Sequence, residues 1–161
     1  MQLSVGDKVV CPGRGVGQIT GLEHLDLVEG FERYYVIEMP DKGLTLRVPV
    51  RKTEALGIRP IMSRAELACV LDTLRGMPRQ LSEDYKKRQD WVRERLEIGG
   101  PVRIAKIVRD LTWHERRARL TKVDTDLLAR GRDSLTAEIA SVTDTKIAEA
   151  RQLIDDALTA S

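Results

Sequence analysis

Aromatic residues and cysteines are scarce in this chain of 161 residues. Aromatic residues make up 4 % of the sequence, so aliphatic side chains must fill the core, and each exposed aromatic ring is a candidate contact residue. The two cysteines, Cys11 and Cys69, lie far apart among apolar neighbours and lack the spacing of metal ligands. We therefore interpret both as packed thiols and expect no metal site.

Long hydrophobic runs are also missing from the sequence. No stretch approaches the roughly 18 consecutive apolar residues of a membrane helix. Residues 1–4 lead directly into a strand pattern without the apolar core of a signal peptide. These absences predict a cytoplasmic protein that does not enter a membrane.

Groups of residues that could form a catalytic site are absent as well. The two histidines, His24 and His114, have no serine, cysteine or metal-binding group around them, and we expect them at the surface or at an interface. The glycine-rich segment 13–17 lacks the residue order of a phosphate-binding loop and precedes a strand pattern, which favours a hairpin. The sequence therefore predicts no enzyme and no cofactor.

Two different periodicities meet near residue 60. Before that point, apolar residues alternate or form short runs broken by glycine and charged turns, which indicates strands. We place these strands at residues 8–11, 15–25, 32–39 and 44–48. Short strands joined by tight turns predict a small β-barrel, and an open strand edge can accept a strand from another protein.

The remainder of the chain has a helical pattern. Ser63 and Glu66 form a capping box at the start of the first helix, and Gly99 and Gly100 end the second. The predicted caps or first residues of the five helices are, in order, Ser63, Ser82, Pro101, Thr121 or Asp124, and Thr143. We thus expect an α+β protein with two domains, a β domain at residues 1–60 and an all-α domain at residues 61–161.

Positive charge is concentrated in the middle of the chain. Residues 1–60 carry eight basic and eight acidic residues, whereas residues 74–133 carry sixteen basic and ten acidic ones. Residues 134–161 are acidic, with two basic and five acidic residues. The middle segment is a candidate for contact with phosphate groups, although a solvated helix face has the same composition.

The second and third predicted helices hold the residues of greatest interest. Tyr85 precedes three successive cations, Lys86 to Arg88, at the start of the second helix, where its ring could remain exposed and stack on a base. Trp91 and Trp113 are interpreted as partly buried core residues. In the third helix, one apolar face comprises Ile104, Ile107, Val108 and Leu111, and the basic residues on its other faces are Arg103, Lys106, Arg109 and Arg116.

Three sequence motifs together resemble the CarD/CdnL family of bacterial transcription regulators. They are VGDKVVCPGRGVGQ at residues 5–18, LTLRVPV at residues 44–50 and IAKIVRDL at residues 104–111. The resemblance implies a Tudor-like, SH3-like N-terminal domain that binds the RNA polymerase β subunit by adding a strand to a sheet. It also implies that Arg47 is the polymerase-contacting arginine, flanked by Leu46, Val48 and Pro49. A second basic contact of the family is not carried over, because residues 23–26 read Glu-His-Leu-Asp.

For the helical domain, the resemblance implies a wedge inserted at the upstream edge of the melted promoter. Counted back from Gly99, the wedge position holds Tyr85, where the family has tryptophan, followed by Lys86, Lys87 and Arg88 as DNA contacts. The expected function is stabilisation of the open promoter complex by a monomer associated with the nucleoid through RNA polymerase. The alternative is an interaction scaffold on the polymerase that does not touch DNA.

Overall fold

The computed structural model describes residues 3–160, except for the side chains of residues 27, 28, 31 and 32. Contacts between residues divide the chain into two compact units that meet between Ile61 and Met62. Within the described residues, no helix is long and apolar enough to span a membrane.

The N-terminal unit is built on a five-stranded antiparallel sheet with the strand order β4-β3-β2-β1-β5. The strands are β1 Lys8–Cys11, β2 Gly15–Val28, β3 Phe31–Met39, β4 Leu44–Pro49 and β5 Arg59–Pro60. The four predicted strands are present, and β2 runs three residues further than expected because pairing continues to the turn at Gly30. The fifth strand was missed, since two residues that include a proline carry no strand signal.

One face of this sheet holds the core of the N-terminal unit. Val9, Ile19 and Ile37 are inaccessible to solvent, and the hydroxyl of Tyr35 donates a 2.8 Å hydrogen bond to the carbonyl of Leu3. Cys11 belongs to this core, and burial raises the pKa of its thiol despite the opposing charge of Arg14. The interpretation of Cys11 as a packed thiol is confirmed.

Gly17 of β2 lies against residues of β3 with no room for a side chain. A Cβ atom at this position would lie 2.8 Å from Cγ2 of Ile37 and 3.0 Å from the carbonyl oxygen of Glu38. The second contact is with backbone, which cannot rotate away as a side chain can. Glycine is therefore required here by space and not by its backbone angles.

Gly17→Ala is expected to destabilise the protein by about 1–3 kcal/mol, since the added methyl group overpacks the sheet. Chemical denaturation followed by circular dichroism measures the change. Gly21→Ala is the matched control in the same strand, because the nearest atom to its added Cβ is 3.9 Å away. A Gly17→Ala variant as stable as the Gly21→Ala variant would show that the contact is relieved by a small shift of β3.

The C-terminal unit contains the five expected helices. They are α1 Arg64–Arg75, α2 Tyr85–Ile98, α3 Pro101–Arg117, α4 Lys122–Thr143 and α5 Ile147–Thr159. The capping box of Ser63 and Glu66 is confirmed, with hydrogen bonds of 3.1 and 3.2 Å. Thr121 caps α4 through a second capping box with Asp124. Of the two predicted caps of α4, Thr121 is therefore the correct one.

Two predicted helix starts were wrong. Asp84 caps α2 in place of Ser82, because its carboxylate accepts hydrogen bonds from the amides of Lys86 and Lys87, at 2.9 and 3.3 Å. Thr143 ends α4 and does not begin α5, since its hydroxyl donates back to the carbonyl of Ile139 at 2.7 Å. Helix α4 then stops at Asp144, whose φ of 54° lies in the left-handed region.

Helix α3 supplies much of the core of the helical unit. Its predicted apolar face is buried as expected, and Ile107, Val108 and Leu111 are almost completely inaccessible. His114 lies on the same side of α3 and is 2 % exposed, so the prediction of a surface histidine was wrong at this position. Cys69 in α1 is exposed, so its interpretation as a packed thiol was also wrong.

Candidate functional site

Strand β4 lies at an edge of the N-terminal sheet. It pairs with β3 along one side from Leu44 to Pro49, and no strand among the described residues pairs with its other side. This edge strand of six residues presents backbone amide and carbonyl groups that can form hydrogen bonds with a strand of another protein. The sheet is therefore open to strand addition where the predicted polymerase-contacting residues are found.

The four predicted residues of β4 differ in accessibility. Val48 is buried in the sheet core, and Leu46 packs partly against the same core. Pro49 is half-buried and lacks an amide hydrogen, so only its carbonyl can join a ladder. Arg47 points to the opposite face, because side chains alternate along a strand, and its side chain is 50 % exposed.

Arg47 is held across the outer face of the sheet by Glu23 of β2. The Nε atom of Arg47 donates a 2.9 Å hydrogen bond to Oε2 of Glu23, and this bond raises the pKa of the guanidinium above its ordinary value. Glu23 occupies the hairpin in which the family resemblance would place a second basic contact. A partner carboxylate that approaches Arg47 must therefore compete with Glu23.

Tyr85, Lys86 and Lys87 form the first turn of α2, which we call the Tyr85 turn. The tyrosine ring is 61 % exposed, and both lysines are exposed as well. The carboxylate of Asp84, just before the turn, accepts hydrogen bonds from the amides of Lys86 and Lys87. The turn thus presents an aromatic ring beside two cations, as the sequence predicts.

Arg88 does not belong to this exposed group. Its side chain is 4 % exposed and forms a bidentate pair with the carboxylate of Asp124, with a 2.6 Å bond from Nη2 to Oδ2 and a 3.1 Å bond from Nε to Oδ1. Its Nη1 atom also donates to the carbonyl of Ser82 at 3.0 Å. The prediction that Arg88 contacts DNA is corrected by this burial, because its donors are used inside the helical unit.

The hydrogen bonds of this buried pair shift the pKa values of both side chains. Desolvation opposes the charged carboxylate of Asp124, but hydrogen bonds from Arg88 and Thr121 outweigh it and hold the pKa below its ordinary value. The same pairing raises the pKa of Arg88. Both groups are therefore charged at neutral pH, inside a region that excludes water.

The Arg88–Asp124 pair joins the start of α2 to the start of α4. Gln89 supports the junction with a 2.9 Å hydrogen bond from Nε2 to Oγ1 of Thr121. Exposed Lys122, which begins α4, thereby comes to the same end of the helical unit as the Tyr85 turn. Sequence reasoning missed Lys122, although the concentration of basic residues between positions 74 and 133 contained the signal.

The two tryptophans are partly buried, as expected. Trp91 packs against the helical core, and the guanidinium carbon of Arg95 lies 3.9 Å from the centroid of its ring. Trp113 has Arg117 over its ring at 4.4 Å. Each tryptophan ring has a guanidinium group over one face, and neither tryptophan is as exposed as Tyr85. Among the described residues, no three histidine, cysteine, aspartate or glutamate side chains gather where a metal ion could bind.

Comparison with known proteins gives matches in both units. The family model for the CarD-like/TRCF RID domain matches residues 3–62, and the model for the CarD C-terminal domain matches residues 69–155. A Bacillus subtilis (strain 168) protein named "Putative transcription factor YdeB" is 25 % identical over 135 residues. The aligned region covers 84 % of this chain and 88 % of that protein.

Proposed function

The chain belongs to the CarD-like family of transcription factors, and on that premise we propose that it docks on the RNA polymerase β subunit and holds its helical unit against promoter DNA. The proposed outcome is a longer-lived open complex. This family is not one of enzymes, and no catalytic step is part of the proposal. Its place of action would be the nucleoid, through the polymerase.

The observation that carries the proposal is the free edge of β4 beside the exposed Arg47. Addition of a polymerase strand to β4 would supply backbone hydrogen bonds, which give affinity without regard to side chains. Arg47 would supply specificity, because a carboxylate on the partner can replace Glu23 as its hydrogen-bond acceptor. Leu46 and Val48 would contribute their backbone groups, since their side chains pack against the sheet core.

The Tyr85 turn is the proposed DNA contact. Lys86 and Lys87 would neutralise phosphates, Lys122 would extend the cationic surface, and Tyr85 would stack at the edge of the melted region. Such contacts do not identify bases, so little sequence preference is expected. Docking on the polymerase raises the effective DNA concentration, which makes weak contacts sufficient. Free duplex should bind weakly and with strong dependence on salt.

Tyr85→Ala is expected to shorten the lifetime of the open complex by about fivefold or more, because stacking on one base contributes roughly 1–3 kcal/mol. Competitor challenge of preformed complexes on one promoter measures the lifetime. Ile98→Ala is the matched control, since Ile98 lies at the other end of α2 and is also 61 % exposed. Tyr85→Trp should lengthen the lifetime beyond that of the wild type, because a larger ring covers more of the base.

An unchanged lifetime for Tyr85→Ala would remove the wedge from the proposal and favour a scaffold that does not touch DNA. A photocrosslinking residue at position 85 separates the two functions directly. Crosslinks to promoter DNA in the complex with polymerase support the DNA contact. Crosslinks to protein alone support the scaffold.

A further inference from the structure

A cavity of 490 Å³ lies in the helical unit between α1, the second half of α2, the first ten residues of α3 and the segment that links α1 to α2. Its volume falls within the range of about 300–1,000 Å³ that is typical of sites for small molecules. The cationic side chains in its wall are Arg79, Arg95, Arg103, Lys106 and Arg109. Glu66 and Asp110 are the acidic residues of the same wall.

The two carboxylates of the cavity wall both accept hydrogen bonds within the helical unit. Glu66 accepts a hydrogen bond from the amide of Ser63 in the capping box at 3.2 Å. Asp110 is 1 % exposed and accepts bonds from Nε of Arg109 and from the amide of Arg79, both at 2.9 Å. Within the described part of the chain, Arg109 is the one cavity cation that forms an ion pair. The wall therefore holds five cations against two carboxylates, and four of these cations form no ion pair among the described residues.

The guanidinium groups are held in position by neutral partners. Arg95 stacks on Trp91 at 3.9 Å and donates to the Trp91 carbonyl at 3.2 Å, while Arg79 approaches the same ring at 5.7 Å. Arg103 donates to the carbonyl of Gly99 at 2.9 Å, and Arg109 donates to that of Thr73 at 3.3 Å. Each group keeps unused donors, and fixing its position lowers the entropy lost when a ligand binds.

This cavity is separate from the Tyr85 turn. Trp91 and Arg95 come six and ten residues after Tyr85 on α2, and at about 100° per residue both positions are rotated well away from it. None of the three residues of the Tyr85 turn lines the cavity. The helical unit thus carries two cationic sites, one exposed on a helix end and one concave.

We propose that the cavity binds the phosphate groups of a small compound that carries a chain of phosphates. Guanidinium groups recognise phosphate oxygens with paired donors, and several adjacent cations suit a chain of phosphates. Arg95 lies over the ring of Trp91, so the affinity comes from charge and not from stacking on that ring. A concave wall fits a small molecule better than the backbone of a duplex, which needs an open surface.

Binding would join three elements of the helical unit. Arg79 precedes α2, Arg95 lies on α2, and Arg103, Lys106 and Arg109 lie on α3. A polyanion between them would relieve the repulsion among the four unpaired cations and would bind the folded state alone. The melting temperature should therefore rise with ligand concentration. This inference does not rest on the proposed transcriptional function.

The test uses the full chain with inorganic tripolyphosphate, at constant ionic strength, followed by titration calorimetry and thermal melting. We expect saturable binding of one equivalent and a concentration-dependent rise in melting temperature. Arg103→Glu combined with Lys106→Glu changes two exposed side chains and should weaken binding by about tenfold or more. Arg130→Glu combined with Arg151→Glu is the matched control, because both residues are exposed and neither lines the cavity.

Absence of saturable binding would overturn the inference, as would an equal loss in the two paired variants, which would indicate unspecific attraction by net charge. A short duplex forms the second arm. Duplex binding that depends on Arg103 and Lys106, without any binding of tripolyphosphate, would overturn the inference and assign the cavity to DNA. Lys86→Glu combined with Lys87→Glu should weaken duplex binding and leave tripolyphosphate binding unchanged. Failure of the DNA proposal and failure of this inference are thereby distinguishable.

Discussion

Asp124→Ala is expected to lower the free energy of unfolding by about 3–5 kcal/mol, because it leaves the charge of Arg88 buried without a partner. Arg88 cannot escape to solvent easily, since its side chain is 4 % exposed and also donates to a backbone carbonyl. Loss of the α4 capping box adds to the effect. Urea unfolding followed by circular dichroism measures the change.

The variant Asp126→Ala is the control for this experiment, since Asp126 is an exposed carboxylate in the first turns of the same helix. Removal of both charges by Arg88→Met with Asp124→Leu should cost less than Asp124→Ala alone, because no unpaired charge remains in the interior. A cost below about 1 kcal/mol for Asp124→Ala would contradict the assignment of the pair as the junction between α2 and α4.

The same pair predicts a dependence on pH. The folded pKa of Asp124 lies below its ordinary value of 3.8, so the folded state binds this proton less tightly than the unfolded state does. Its contribution is therefore fully present above the unfolded pKa and is lost as the pH falls through the folded pKa. The difference in stability between wild type and Asp124→Ala should be constant near neutrality and shrink below about pH 4.

Arg47→Glu is expected to weaken binding to RNA polymerase by about tenfold or more, because it places a negative charge where a partner carboxylate is expected. The fold should be retained, since Arg47 is half-exposed on the outer face of the sheet. Surface plasmon resonance with immobilised core polymerase measures the affinity. Truncation of the partner strand on the β subunit should cause a larger loss, because it also removes the backbone hydrogen bonds, and Arg47→Glu should then have no further effect.

Two controls isolate the role of Arg47. Glu23→Gln breaks the same ion pair but leaves the cation in place, and it should maintain or improve binding because Glu23 no longer competes. Arg33→Glu makes the same charge change at an exposed position of β3. Equal affinity for the wild type and Arg47→Glu would contradict the docking surface. Equal losses for Arg47→Glu and Arg33→Glu would indicate long-range charge effects alone.

Local patterns in the sequence predicted four of the five strands and all five helices. The alternation of apolar residues predicted β1 and β4, and the helical spacing of apolar residues predicted the buried face of α3. Both patterns lie within a single element. The capping box at Ser63 likewise depends on residues three positions apart. The predicted start of α5 was wrong because the Thr143 hydroxyl donates a hydrogen bond to a carbonyl within α4. From sequence alone, such a threonine cannot be told from a helix cap.

Residues with distant partners were not predictable in this way. Arg88 follows two exposed lysines and reads as one more surface cation, whereas the residue that buries it, Asp124, is 36 positions away. The wall of the basic cavity likewise combines residues between positions 66 and 110. By contrast, the exposure of Tyr85 was expected from local sequence alone, because two lysines follow it in the first turn of α2.

The lifetime of the open complex on a single promoter, with and without this protein, tests the central claim most directly. The account predicts a longer lifetime with the wild type, a smaller effect with Arg47→Glu at protein concentrations below saturation, and a smaller effect with Tyr85→Ala even at saturating protein. A lifetime that is the same with and without the wild-type protein would contradict the account.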